Sequence, residues 1–146
     1  MTAQTIYARL VKDTLSPALR EVGFKGSGGR YSLPWAECWA QLAFQKSAYS
    51  DAAEVRSTLN LQVVNKSDWT AARADRPHLP VRPAPSTFYG DPAVQVRIGQ
   101  LTADSADKWW RINSDVDVAA VATDVIHDVR EHAMPWFDQQ MRERRC

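Results

Sequence analysis

A chain of 146 residues and 16.4 kDa fits a single domain, 1–146, long enough to remove about two-thirds of its unfolded surface from water without a metal or a disulfide. Its apolar fraction of 45% and charged fraction of 24% exclude disordered and fibrous classes. A net charge of +1 with interspersed acids and bases argues against nucleic-acid binding as the main task, because phosphate neutralisation needs a concentrated basic face.

Ile6, Leu10, Leu15, Leu19 and Val22 recur at helical spacing, so residues 3–22 are expected as a helix that Pro17 kinks or splits. The glycine-rich stretch that follows, GFKGSGGRYS (Gly23 to Ser32), raises the question of a phosphate loop. Such a loop leaves a strand and enters a helix, whose N-terminal amides hold the anion. Here the order is reversed: Gly23 ends a helix, and the chain turns through Lys25 to Gly29 into Arg30-Tyr31-Ser32-Leu33. A helix stop followed by a hairpin is therefore expected.

Three segments alternate with period two, the mark of half-buried strands. In 37–46, Cys38, Ala40, Leu42 and Phe44 face one way, and Trp39, Gln41, Ala43 and Gln45 the other. In 57–65, Leu59, Leu61 and Val63 oppose Thr58, Asn60, Gln62 and Val64. In 93–99, Val94, Val96 and Ile98 oppose Gln95 and Arg97. Trp109-Trp110-Arg111-Ile112 reads as a short fourth strand with Trp109 and Arg111 outward. Between the second and third lies a short helix from Ser67 to Ala74, then the segment Asp75–Pro92, with five of the eight prolines, expected as a stiff surface loop. Its Pro77-x-x-Pro80-x-x-Pro83 spacing also has the form of a polyproline ligand. Ser114, with Asp117 three residues on, is expected to open the last helix, whose stripe Val118, Ala122, Val125, Val129, Ala133 and Trp136 passes a second kink at Pro135.

The predicted fold is α+β: a four- to five-stranded antiparallel meander with the N- and C-terminal helices packed on its apolar face. Cys38 and Cys146 have no CxxC spacing, so Cys38 is expected as a buried reduced thiol. The charge-broken N-terminus lacks a signal-peptide core, which makes the cytoplasm the expected location, and nowhere do eighteen apolar residues run together as a membrane span would.

Reactive groups cluster at Asp124, His127, Asp128, Glu131 and His132. On an ideal helix of about 100° per residue, Asp124, His127 and Glu131 point to water and His132 lies about 140° from His127, so no metal site is expected there. Ser27 sits in a turn rather than a nucleophile elbow, and Asp115 and Asp117 read as helix-start residues. No catalytic residue and no cofactor are predicted. What remains is the outward sheet face, with Trp39, Gln41, Gln45, Asn60, Gln62, Gln95, Arg97, Trp109 and Arg111. Indoles and guanidiniums anchor interfaces and amides adapt to them. The predicted function is a non-catalytic binding module for another protein, a hetero-partner or a second copy, with an immunity-type inhibitor as one form. Two alternatives are a small-ligand or catalytic pocket under the loop 75–92, using His78, Arg82, Tyr89 or Asp91, and a single-stranded nucleic-acid platform on the same face.

Four pieces, LSPALREVGFKGSGGRY (Leu15 to Tyr31), LAFQKS (Leu42 to Ser47), WWRI (Trp109 to Ile112) and the closing helix through AMPWF (Ala133 to Phe137), make the chain resemble the bacterial family catalogued as domain of unknown function 4304. The resemblance implies a small α+β cytoplasmic protein of bacteria and brings no catalytic residues with it.

Overall fold

The computed structural model describes residues 1–146. The first helix starts where Thr2 accepts a hydrogen bond from the Thr5 amide, satisfying one of the orphan donors of a helix start. It runs as α1 (Ala3–Arg9), a π turn (Leu10–Leu15) and α2 (Ser16–Val22). Pro17 accounts for the wide turn, since a proline has no N–H to donate and its ring crowds the carbonyl four residues back. The expected kink is thus a π-bulge within one continuous helix. The same arrangement recurs at Pro135: α4 (Val118–Asp128), a π turn (Val129–Ala133) and α5 (Met134–Glu143). That helix starts later than Ser114. Asp117 is the cap, its carboxylate accepting from the Ala119 and Ala120 amides.

Gly23 ends α2 at φ +122°, a backbone region that side chains disfavour. The chain then forms the hairpin β1 (Lys25–Ser27) and β2 (Arg30–Ser32). A Cβ on Gly26 would sit 2.3 Å from the Arg30 carbonyl oxygen, so this close approach needs glycine. The glycine-rich stretch is a helix stop and a hairpin, as its flanks predict.

β3 (Cys38–Lys46), β4 (Val55–Asn65) and β5 (Val94–Arg97) continue the antiparallel sheet in sequential order, and β6 (Trp110–Ile112) completes it. Leu42 pairs with Leu61 and Leu61 with Val96, so the alternation read from the sequence carries through the register. The sheet has six strands, and β6 returns to β4 rather than adding beside β5. The length of β4 allows this: its upper half, Asn60–Val63, seats β5, and its lower end, Val55–Ser57, seats β6.

On the apolar face Leu42, Leu59, Leu61 and Val63 meet Leu10, Leu15, Leu19, Val125, Val129 and Phe137 in one cluster, all of them buried. Burial of this kind contributes about 25 cal/mol per Å² of apolar area and is what holds both terminal helices down. On the other face a second, smaller cluster forms from Val64, Trp69, Leu79 and Ala93, bringing α3 (Lys66–Asp75) and the proline-rich segment onto the sheet. The molecule is therefore layered as helices, sheet, and loop with α3. No helix is long and apolar enough to cross a membrane.

The expectation of a reduced Cys38 is corrected. Cys38 is buried, but its sulfur is bonded to that of Cys146, 108 residues away. The closing helix crosses the sheet and returns the chain end to the start of β3, a proximity that spacing along the chain does not encode.

Candidate functional site

The outward sheet face carries the predicted side chains in the predicted direction, but it is not open. Gln41 and Gln62 are fully buried and Asn60 is 8% exposed, because the proline-rich segment lies flat across them. The chemistry explains the match. Prolines have no N–H, so the segment offers a strip of carbonyl acceptors, and the amide side chains offer NH₂ donors. Gln41 on β3 donates to the Pro83 carbonyl at 2.7 Å and to Gln62 Oε1 at 2.8 Å. Gln62 on β4 donates to the Ala84 carbonyl at 3.1 Å. Asn60 donates to Gln45 Oε1 and to Ser86 Oγ, and Gln95 on β5 donates to the Thr87 carbonyl. Arg30 and Arg82 complete the network, Arg30 on the Pro83 carbonyl and Arg82 on Gln41 Oε1. No buried side-chain polar atom is left without a partner, as such networks require. The amide face is thus largely occupied by the chain's own proline-rich segment.

The aromatics of that face are engaged too. Lys66 and Arg82 stand over the Trp39 ring at 4.5 and 5.1 Å, and Arg97 over the Trp109 ring at 5.1 Å. Asp107 gathers the latter pair, accepting from Arg97 at 3.2 Å and from Trp109 Nε1 at 2.8 Å. Stacking of bases would compete with these cations. Arg111 lies apart, exposed on β6 opposite Arg56, with Glu54 at 3.8 Å.

What the segment leaves uncovered is a cavity of about 520 Å³ at its far end, floored by Gln45, Asn60 and Gln95 and walled by Arg97, Thr87 and Phe88. Phe88 is 83% exposed. Of the nine predicted face residues, Gln45, Asn60, Gln95 and Arg97 line this cavity, with Trp109 beside it through Arg97. Gln41 and Gln62 lie under the segment, while Trp39 and Arg111 lie outside the cavity lining. Sequence reading missed Phe88; the signal available was an aromatic in a proline-rich loop with no alternating partner.

The second predicted pocket fares differently. Tyr89 packs on Trp69 and its hydroxyl accepts from the Ala84 amide at 3.0 Å, Arg82 is held by Gln41, and His78 and Asp91 point outward from the segment. None of the four lines the 520 Å³ cavity.

The acid and histidine cluster is rearranged by the π turn. Its wider helical repeat brings the His127 and His132 rings to 6.3 Å, where an ideal helix would hold them apart. Asp128 is buried, not water-facing, and accepts from Lys108 at 2.7 Å; the same ammonium reaches Asp124 at 2.9 Å, and Asp124 also accepts from Trp110 Nε1. Burial alone would raise the Asp124 carboxyl and lower the Lys108 ammonium. The hydrogen bonds among Trp110, Lys108 and the two acids prevail, holding Asp124 below and Lys108 above their ordinary values. The group ties β6 to α4.

A family model described as Domain of unknown function (DUF4304) matches residues 15–139. No curated protein and no solved structure matches the chain.

Proposed function

Given that the chain belongs to the DUF4304 family, a domain of unknown function, we propose that it is a non-catalytic binding module that engages another protein at the cavity between Phe88 and Arg97. One observation carries the reading: an 83% exposed phenylalanine stands at the rim of a pocket floored by amides. An aromatic anchor, a guanidinium and adaptable hydrogen-bonding groups are the components that dominate interface energetics. Gln41 and Gln62 serve indirectly, since they hold the segment that presents Phe88. An immunity-type inhibitor is one form such a module takes.

The test is covalent capture. A photoreactive phenylalanine analogue at position 88, irradiated in the native host, is expected to give one discrete adduct, and Arg97→Glu is expected to abolish it. An adduct of twice the chain's mass identifies a second copy as the partner. Absence of any discrete adduct, or one indifferent to Arg97, overturns the reading. The Cys38–Cys146 bond weighs against the cytoplasmic placement, because cytosolic glutathione keeps thiols reduced. Alkylation of protein quenched in acid on lysis distinguishes the two: no modified cysteine for an oxidising compartment, two for the cytoplasm.

A further inference from the structure

On the opposite side of the sheet, a cleft of about 550 Å³ opens between the first helix and the β1–β2 hairpin. Its size is that of small-molecule sites. Three cations from separate turns and strands line it: Lys12 from the π turn, Arg20 from α2 and Lys46 from the end of β3. No carboxylate lines it; Asp13 and Glu21, the acids adjacent in sequence to two of these cations, are outside the lining. Arg20 donates to the Gly26 carbonyl at 3.1 Å. Lys12 and Lys46 have neither an ion pair nor a side-chain hydrogen bond, although most other charged clusters of the molecule are neutralised internally. Between the cations, Tyr7, Val11 and Phe44 present carbon surface.

Three like charges gathered around one concavity in a chain of net charge +1 repel one another, and an anion placed among them relieves that repulsion. The apolar surface in between is poorly matched to a bare inorganic ion. We propose that this cleft binds a small organic anion, its carboxylate or phosphate head paired with Lys12, Arg20 and Lys46 and its apolar body on Tyr7, Val11 and Phe44. This site is independent of the one at Phe88, which lies across the sheet.

The probe is 8-anilinonaphthalene-1-sulfonate, an amphiphilic anion, titrated into the full chain in its native state. Saturable binding at one site is expected, displaced by phenyl phosphate and by phenylacetate at lower concentrations than by inorganic phosphate or benzyl alcohol. Lys12→Gln combined with Lys46→Gln is expected to weaken it about tenfold with an unchanged circular-dichroism spectrum, while Arg111→Gln leaves it unaltered. Both lysines are exposed, so the double variant retains the fold. No saturable binding, binding indifferent to the double variant, or equal displacement by benzyl alcohol overturns the anion assignment. Equal displacement by inorganic phosphate overturns the role of the apolar floor.

Discussion

Tyr7 is placed where its hydroxyl donates to or accepts from Ser57 at 2.8 Å, beneath the cationic rim of the cleft. Burial pushes its phenol up from 10.0 to about 12, outweighing the opposing effect of the Ser57 hydrogen bond. The folded state therefore keeps its proton above pH 10 while the unfolded state loses it, and stability falls as pH rises from about 10 to 12. That loss is on the order of 2 kcal/mol. Tyr7→Phe is expected to remove most of the decline, read as the change in urea midpoint between pH 9 and pH 11.5. Asp124 has the opposite sign. Its carboxyl is held below its ordinary 3.8, so its contribution is present above that pH and is lost as pH falls through the lower folded value. Asp124→Asn is expected to lower the midpoint at pH 7, and the gap from the parent chain should narrow toward pH 2.5. A gap that stays constant would remove the charge from the account.

The proline-rich segment is the element whose role is least visible from its own residues. Composition identifies it as a stiff surface loop; its amide-lined seat becomes clear only when Gln41, Asn60, Gln62 and Gln95 are seen from three strands at once. Leu79 and Trp69, with Val64 and Ala93, pin its first part, and Trp69 Nε1 donates to the Pro80 carbonyl at 3.0 Å. Gln41→Ala leaves Gln62 Oε1 without its donor and removes the acceptor of Arg82 Nε. The buried Gln62 oxygen so orphaned costs about 1–3 kcal/mol. The expected result is local release: faster chymotryptic cleavage after Tyr89, which packs on Trp69, and faster amide exchange over 79–89, with β3 and β4 still protected. Leu79→Ala is expected to act in the same direction, by roughly 2–4 kcal/mol. Global unfolding at the same denaturant concentration as the segment's release would show instead that it is integral to the main core. The two π turns teach a related lesson. Pro17 and Pro135 advertise an interruption in the sequence, but whether a proline breaks, kinks or bulges a helix depends on what the far side is packed against, and here both helices are held to one sheet on each side of the interruption.

For the molecule as a whole, the Cys38–Cys146 bond closes a loop across 108 residues, joining the first long strand to the end of the closing helix. Such a cross-link restricts the unfolded chain and typically contributes about 2–4 kcal/mol. Reduction, or Cys146→Ser, is expected to lower the denaturation midpoint accordingly with the far-ultraviolet spectrum intact, because the apolar cluster between helices and sheet is unaffected. Loss of the spectrum on reduction would mean that the core alone does not hold the fold. The same closure brings Arg144 to Asn65, whose side-chain amide donates to the Arg144 carbonyl at 3.2 Å.

Period-two and helical spacing are local properties, and the faces they assign, Leu42, Leu61 and Val96 inward and Gln41, Gln62 and Gln95 outward, are those of the folded protein. The helix stop at Gly23 and the hairpin after it are equally local, since they follow from which backbone angles glycine alone adopts freely. The cover over the amide face, the return of β6 to β4, the half-buried Lys108 knot and the sulfur bond are different in kind. Each joins positions far apart along the chain, through acceptors, charges and thiols that many other residues could have matched. Which of them meet is decided by the docking of whole layers, when apolar burial brings helices, sheet and loop together and the polar groups at each seam find the partners left within reach.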